Sequence, residues 1–174
     1  RGAERECKRG NRSGIVMPGG CGKRGTDGKI EAIKYVRNNK IPLLGICYGM
    51  QMAIIECARN KLNIKKATSS EFDKKGLHVI GLINEWKKDG KTIKGTDKDL
   101  GGTMRLGSYD AKLKDNSLIR KIYGKNFIKE RHRHRYEVNI NYKEKFEKNG
   151  MSFSGLSPDG SLPEIIELKN HPWF

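Results

Sequence analysis

The segment Ile41-Pro42-Leu43-Leu44-Gly45-Ile46-Cys47-Tyr48-Gly49-Met50-Gln51 constrains this chain more than any other. A short apolar run enters a glycine-bounded turn carrying a cysteine, and an apolar helical run leaves it. Gly45-Ile46-Cys47-Tyr48-Gly49 fits the pattern Gly-x-nucleophile-x-Gly, which folds as a sharp strand-to-helix elbow and lifts the central side chain above a sheet. A Cβ at either flanking position would crowd the turn. The first amides of the following helix point back at the cysteine, where they favour a thiolate and can hold an oxyanion. Taken by itself, Cys47 reads equally well as a buried structural thiol, because free cysteine is among the most buried residue types.

The segments around the elbow predict the architecture. Gly14-Ile15-Val16-Met17 reads as a buried strand, followed at once by Pro18-Gly19-Gly20-Cys21-Gly22. That loop lets backbone approach a ligand closely, but it lacks both the Gly-Lys-Ser/Thr of a phosphate loop and the spacing of a dinucleotide fingerprint. Thr26 to Asn39 reads as an amphipathic helix with Ile30, Ile33 and Val36 on its apolar side. The helix after the elbow is apolar on most sides and should be buried. The order strand, glycine loop, helix, strand, elbow, helix predicts an α/β protein with an open, mostly parallel sheet flanked by helices. Its ligands belong at the C-terminal ends of the strands, where the Pro18–Gly22 loop and Cys47 both fall.

The second half differs in texture. Strands are expected within His78–Trp86 and at Tyr109–Leu113, and short helices at Ser117–Tyr123 and Asn141–Asn149. Arg131-His132-Arg133-His134-Arg135, read as a strand, puts three arginines on one side and two histidines on the other. Residues 151–168 read as an added β-hairpin with a longer loop. Residues 1–13 show no apolar periodicity and are expected to be irregular; 14–174 form one domain.

Charge bears on the choice of partner. The 174 residues carry a formal net charge of +16, which suits nucleic acid or an anionic surface. The lysines, however, are spread along the chain and often stand beside acids, as in Lys143-Glu144-Lys145. That describes a solvated basic surface, so nucleic acid is not the expected partner. The cysteines at 7, 21, 47 and 57 have no zinc-ligand or Cys-x-x-Cys spacing, and His132 with His134 lacks a carboxylate cluster, so no metal site is expected. No signal segment and no membrane-spanning run is present. A reducing, cytoplasmic setting follows as the expectation.

These pieces make one site if the ligand is a free amino acid. Cys47 attacks a side-chain carbonyl, the backbone N–H groups of Gly20 and Tyr48 hold the oxyanion, and one acid and one arginine take the α-ammonium and α-carboxylate. Pro18-Gly19-Gly20-x-Gly22, Leu44-Gly45-Ile46-Cys47-x-Gly49-Met50-Gln51, Ser70-Glu71-Phe72, Gly101-Gly102-Thr103-Met104-Arg105-Leu106-Gly107, Arg131-His132-Arg133-His134-Arg135-Tyr136-Glu137-Val138-Asn139 and Glu164-Ile165-Ile166-Glu167-Leu168…His171-Pro172-Trp173-Phe174 together resemble the CTP synthase family, in its C-terminal class I glutamine amidotransferase domain. The first two motifs alone resemble class I amidotransferases at large; the Gly101–Gly107 and Arg131–Asn139 blocks narrow the likeness.

The resemblance implies a flavodoxin-like fold and hydrolysis of L-glutamine through a thioester on Cys47. The ammonia would feed a separate synthase domain that aminates UTP to CTP with ATP. It implies Gly20 and Tyr48 at the oxyanion hole. Gly49, Met50 and Gln51 would complete the elbow's share of the glutamine pocket, with Glu71 and Arg135 on the amino-acid end. No cofactor is implied within this domain; ATP, Mg2+ and a GTP activator are implied for the whole enzyme, as is a homo-oligomer, a tetramer. Four departures stand out. Tyr48 replaces a leucine and Cys21 a phenylalanine; loss of that aromatic implies an altered GTP response, since an aromatic there would stack on a purine. The family's His-Pro-Glu motif, which supplies base and orienting acid, has no counterpart: His171-Pro172-Trp173-Phe174 matches a separate segment that precedes it. The first strands and helices of that domain have no counterpart before Gly14 either. The expectation is therefore an incomplete domain, inactive alone. Two alternatives are another class I amidotransferase subunit and an inactive basic α/β binding domain.

Overall fold

Two short strands, β1 (Ile15–Met17) and β2 (Leu43–Gly45), pair in parallel, with Ile15 beside Leu43 and Met17 beside Gly45. A computed structural model of the chain describes residues 14–82, 87–88, 91–92 and 104–172. Residues 1–13, Gly101-Gly102-Thr103 and the terminal Trp173-Phe174 lie outside the described residues. Helix α1 (Thr26–Asn38) joins β1 to β2, and helix α2 (Tyr48–Asn60) follows β2. Ile30, Ile33 and Val36 bury the predicted face of α1. Helix α2 is buried on almost every side, as its composition requires. The two helices are clamped together by Arg37 and Glu56. Arg37 Nε donates to Oε1 and Oε2 of the wholly buried Glu56 at 3.1 and 3.0 Å, and Nη2 donates to Oε1 at 2.9 Å.

A second group of strands continues this core. β3 (Ala67–Ser69) pairs in parallel with β4 (Leu77–Leu82), and β4 pairs antiparallel with β9 (Tyr136–Val138). Between β4 and the next long strand, β5 (Lys87–Lys88) and β6 (Lys91–Thr92) form a two-residue ladder. The remaining strands make a four-stranded antiparallel sheet in the order β11-β10-β7-β8. Its members are β7 (Arg105–Leu113), β8 (Phe127–His134), β10 (Met151–Leu156) and β11 (Pro163–Leu168). Helix α3 (Leu118–Tyr123) joins β7 to β8, and α4 (Lys143–Lys148) precedes β10. Phe146 of α4 packs edge-on against Phe153 of β10, tying this sheet into the main core.

The α/β expectation holds in a mixed form. Parallel pairing is confined to β1–β2 and β3–β4 among the described pairs, and the expected hairpin is one edge of a larger antiparallel sheet. The three arginines do not share a strand face. The chain leaves β7 after the pair Arg105–His134 and joins β4 at the pair Leu82–Tyr136. Arg135 lies in that change of sheet. Arg131 and Arg133 are exposed on β8, while Arg135 is half-buried.

Candidate active site

The elbow forms because two glycines let strand and helix nearly touch. A Cβ on Gly49 would stand 2.1 Å from the Met17 carbonyl oxygen, far inside contact distance. A Cβ on Gly45 would meet the Gly49 carbonyl carbon and the Met50 nitrogen at 3.0 Å. Between them Cys47 takes φ 55° and ψ −108°, a conformation that costs a non-glycine residue about 1–3 kcal/mol and persists only when its surroundings impose it. Hydrogen bonds from Ile46 N–H to the Met17 carbonyl (2.9 Å) and from Gly49 N–H to the Ile46 carbonyl (2.9 Å) are part of that imposition. The side chain of Cys47 stays half-buried.

The glycine loop after β1 folds over the same point. Gly19 approaches so closely that a Cβ there would lie 3.6 Å from Cys47 Cβ and 4.0 Å from Sγ. The backbone N–H groups of Tyr48 and Gly20 both act on the Cys47 sulfur in the direction that favours its thiolate. Glu71 is brought to the loop as well: its Oε1 accepts the Gly22 N–H at 2.7 Å. Gln51 is buried, and its Nε2 donates to the Tyr136 carbonyl at 2.8 Å. That bond ties the elbow helix to the residue next to Arg135, whose guanidinium has no hydrogen-bond or ion-pair partner among the described residues. Gly49 is buried behind the elbow, and Met50 is half-buried beside it. The residues singled out from the sequence thus lie on four segments: the glycine loop, the elbow, the turn after β3 that carries Glu71, and the β8–β9 junction.

Burial pushes the Cys47 thiol up, and the charges of Glu137 and Glu71 push it further, against the two amides that favour the thiolate. The resting side chain is therefore a thiol that needs a base. The histidines are engaged elsewhere. His78 Nε2 lies 2.7 Å from the Asp73 carbonyl, His132 Nδ1 lies 2.8 Å from His134 Nε2, and His171 Nε2 lies 3.1 Å from the Arg37 carbonyl. His171 sits beside the start of β2, where the Leu43 N–H donates to the Pro172 carbonyl at 3.1 Å; Cys47 follows the other end of that strand. Among the described residues no group of three or more His, Cys, Asp or Glu side chains is arranged to hold a metal ion, and no helix is long and apolar enough to cross a membrane. Cys21 is exposed, and Cys57 is buried with its thiol pushed up to about 12 by desolvation.

A charge cluster behind the site was not visible in the sequence. Arg105 is buried, with Nη1 3.1 Å from Glu137 Oε1 and Nη2 2.7 Å from Glu164 Oε1. His132 and His134 line it, His134 Nδ1 standing 3.3 Å from Glu137 Oε1. Desolvation and the Arg105 charge lower both histidines to about 4, so they are neutral at pH 7. Desolvation raises Glu137 to about 7, against the pull of Arg105. The Arg and Glu residues stood in the motifs as letters without partners; only the long-range fold joins Arg105 of β7 to Glu137 of β9 and Glu164 of β11.

The family model described as "Glutamine amidotransferase class-I" matches residues 2–174. A CTP synthase of Pelagibacter ubique is 82% identical over 164 residues, which cover 94% of this chain and 30% of that protein. A CTP synthase of Zymomonas mobilis is 59% identical over 161 residues, covering 92% of this chain and 30% of that protein. The solved glutaminase domain of Trypanosoma brucei CTPS, with bound acivicin, superposes with a TM-score of 0.80 at 36% identity and covers 94% of this chain and 61% of that one. The chain spans about a third of the length of the curated relatives it matches.

Proposed function

The chain belongs to the class-I glutamine amidotransferase family, and from that premise we propose that it is the glutamine-hydrolysing part of a CTP-forming enzyme. The observation that carries the reading is Cys47 held at the strained elbow with the glycine loop folded against it, a Cβ on Gly19 lying 3.6 Å from Cys47 Cβ and 4.0 Å from Sγ, while the Gly20 and Tyr48 amides favour the thiolate. In this reading the thiol loses its proton to a base, and the sulfur attacks the side-chain carbonyl carbon of L-glutamine. The carbonyl oxygen becomes an oxyanion held by the two amides. The C–N bond breaks as the nitrogen takes a proton and leaves as ammonia, giving a glutamyl thioester on Cys47. Water then cleaves the C–S bond to release glutamate and restore the thiol. Glu71 would take the α-ammonium and Arg135 the α-carboxylate, a bidentate match, with Gly49, Met50 and Gln51 closing the pocket wall.

The base would be the histidine of the family's His-Pro-Glu motif, because burial keeps Cys47 protonated and the described histidines are engaged elsewhere. Ammonia would pass to a synthase domain, which would aminate UTP with ATP and Mg2+; neither nucleotide is assigned to a residue of this chain. GTP would act near Cys21 and the 101–107 loop. A cytoplasmic homotetramer is the assembly this reading implies. The test is labelling of the full-length protein with a diazo-ketone analogue of glutamine. Cys47 alone should become alkylated, with loss of glutamine hydrolysis. Labelling of Cys21 or Cys57 with Cys47 intact overturns the assignment.

A further inference from the structure

Tyr48 stands where the family resemblance expects leucine, and its phenol makes contacts that no aliphatic side chain can. The ring is buried, only 2% exposed, and lies against the glycine loop: a Cβ on Gly20 would stand 3.6 Å from Tyr48 Cδ1. Its hydroxyl is 2.5 Å from the Gly22 carbonyl oxygen and 3.0 Å from Thr26 Oγ1. Thr26 Oγ1 is itself 2.6 Å from the Lys23 carbonyl. Each hydroxyl carries one proton. Thr26 donates its proton to Lys23, and Tyr48 donates to Gly22. On the opposite side of Gly22, the N–H donates to Glu71 Oε1 at 2.7 Å. Gly22 has φ 76°, one of many conformations open to glycine; hydrogen bonds to both its N–H and its carbonyl select this one.

We propose that the Tyr48 phenol is a positioning group for glutamine hydrolysis, holding the loop so that the Gly20 N–H stays aimed at Cys47. The inference rests on the glutaminase reading. One residue then serves both halves of the oxyanion hole: its backbone N–H is one donor, and its side chain places the other. Glu71 completes the brace from the far side. The carboxylate assigned to the ligand's ammonium uses Oε1 to steady the same loop and keeps Oε2 for the ligand. Recognition of the amino-acid end is thereby joined to the geometry of the oxyanion hole through a single glycine. Such donors act only when they are oriented in advance, so the brace affects the reaction step more than binding.

The test is Tyr48→Phe in the full-length protein, which keeps the ring and the backbone N–H and removes only the hydroxyl. The expected result is a kcat for glutamine hydrolysis lowered by about tenfold with KM changed by less than about twofold, a partial form of losing one oxyanion donor. The rate of Cys47 alkylation by iodoacetamide should also move to higher pH, because a loosened Gly20 amide no longer favours the thiolate. Unchanged kcat with an unchanged alkylation profile overturns the brace, and so does a rise confined to KM. Should the phenylalanine variant not fold, Tyr48→Leu, which places the family's residue there, is read in the same way. The alkylation profile needs no glutamine. A parent protein that fails to hydrolyse glutamine therefore overturns the glutaminase reading, while the shift in profile still decides the brace.

Discussion

Around Cys47 and around Arg105, buried polar groups are held in opposite ways. The elbow is a backbone device: two missing Cβ atoms, a strained φ and two amides that favour the thiolate. Of the charged side chains beside it, Glu71 accepts the Gly22 N–H and Lys29 stands over the Tyr48 ring. The Arg105 cluster is a side-chain device, in which one cation serves two carboxylates with two neutral histidines packed beside them. A backbone device is tolerant of side-chain chemistry, which is why tyrosine can follow Cys47, and intolerant of a single methyl group. A charge cluster has the reverse sensitivity. The two meet at β9: Glu137 belongs to the cluster, and its charge also raises the Cys47 thiol.

Removing the cation gives the largest effect. Arg105→Ala leaves Glu137 and Glu164 buried without a counterion, and breaking a buried pair from one side costs about 3–5 kcal/mol. For a domain of this size that lowers the thermal midpoint by about 10 °C. A loss of only a degree or two, read by differential scanning calorimetry, would show that the carboxylates find water or other partners and that the cluster is peripheral.

How much of each region the sequence reveals follows from this contrast. The elbow is written within five consecutive residues, because the constraint is local and steric; Gly45, Cys47 and Gly49 could be read before any contact was known. Helix α1 and the 151–168 hairpin were legible for the same reason, through Ile30, Ile33 and Val36 and through the Ser157-Pro158-Asp159-Gly160 turn. Arg105, Glu137 and Glu164 lie on three separate strands, and nothing local in their spacing pairs them. The arginine alternation at 131–135 misled at its last member because the chain changes sheets between His134 and Tyr136, a tertiary event that periodicity does not report. The Tyr48 hydroxyl was likewise silent, since its partner is a carbonyl 26 residues away.

At the elbow the corresponding change is Gly49→Ala. Its Cβ would fall 2.1 Å from the Met17 carbonyl oxygen, so β1 and α2 must separate. Overpacking of this kind costs about 1–3 kcal/mol, or roughly 5 °C in thermal midpoint, less than the loss at Arg105. Its chemical effect is the greater of the two. Separation of β1 carries the glycine loop away from the sulfur, and the diazo-ketone analogue should no longer label Cys47 in a protein that still folds. Normal labelling of a folded Gly49→Ala variant would mean that the elbow does not depend on this contact.

The smallest effect is a pH dependence, and it isolates the residue the two regions share. The folded value of Glu137, about 7, lies above its ordinary 4.5. The stability this carboxyl contributes is therefore complete below pH 4.5 and is lost as pH rises through 7. Glu137→Gln keeps the shape and abolishes the titration. The histidine contribution has the opposite sign, lost as pH falls from 6.5 towards 4, and is common to parent and variant. The difference in stability, variant minus parent, should therefore grow by about 1 kcal/mol between pH 6 and pH 7.5, or about 3 °C. The same substitution removes a negative charge that raises Cys47, so alkylation of Cys47 should shift to lower pH. A flat stability difference with an unmoved alkylation profile would separate the two regions electrostatically and leave the elbow to its backbone alone.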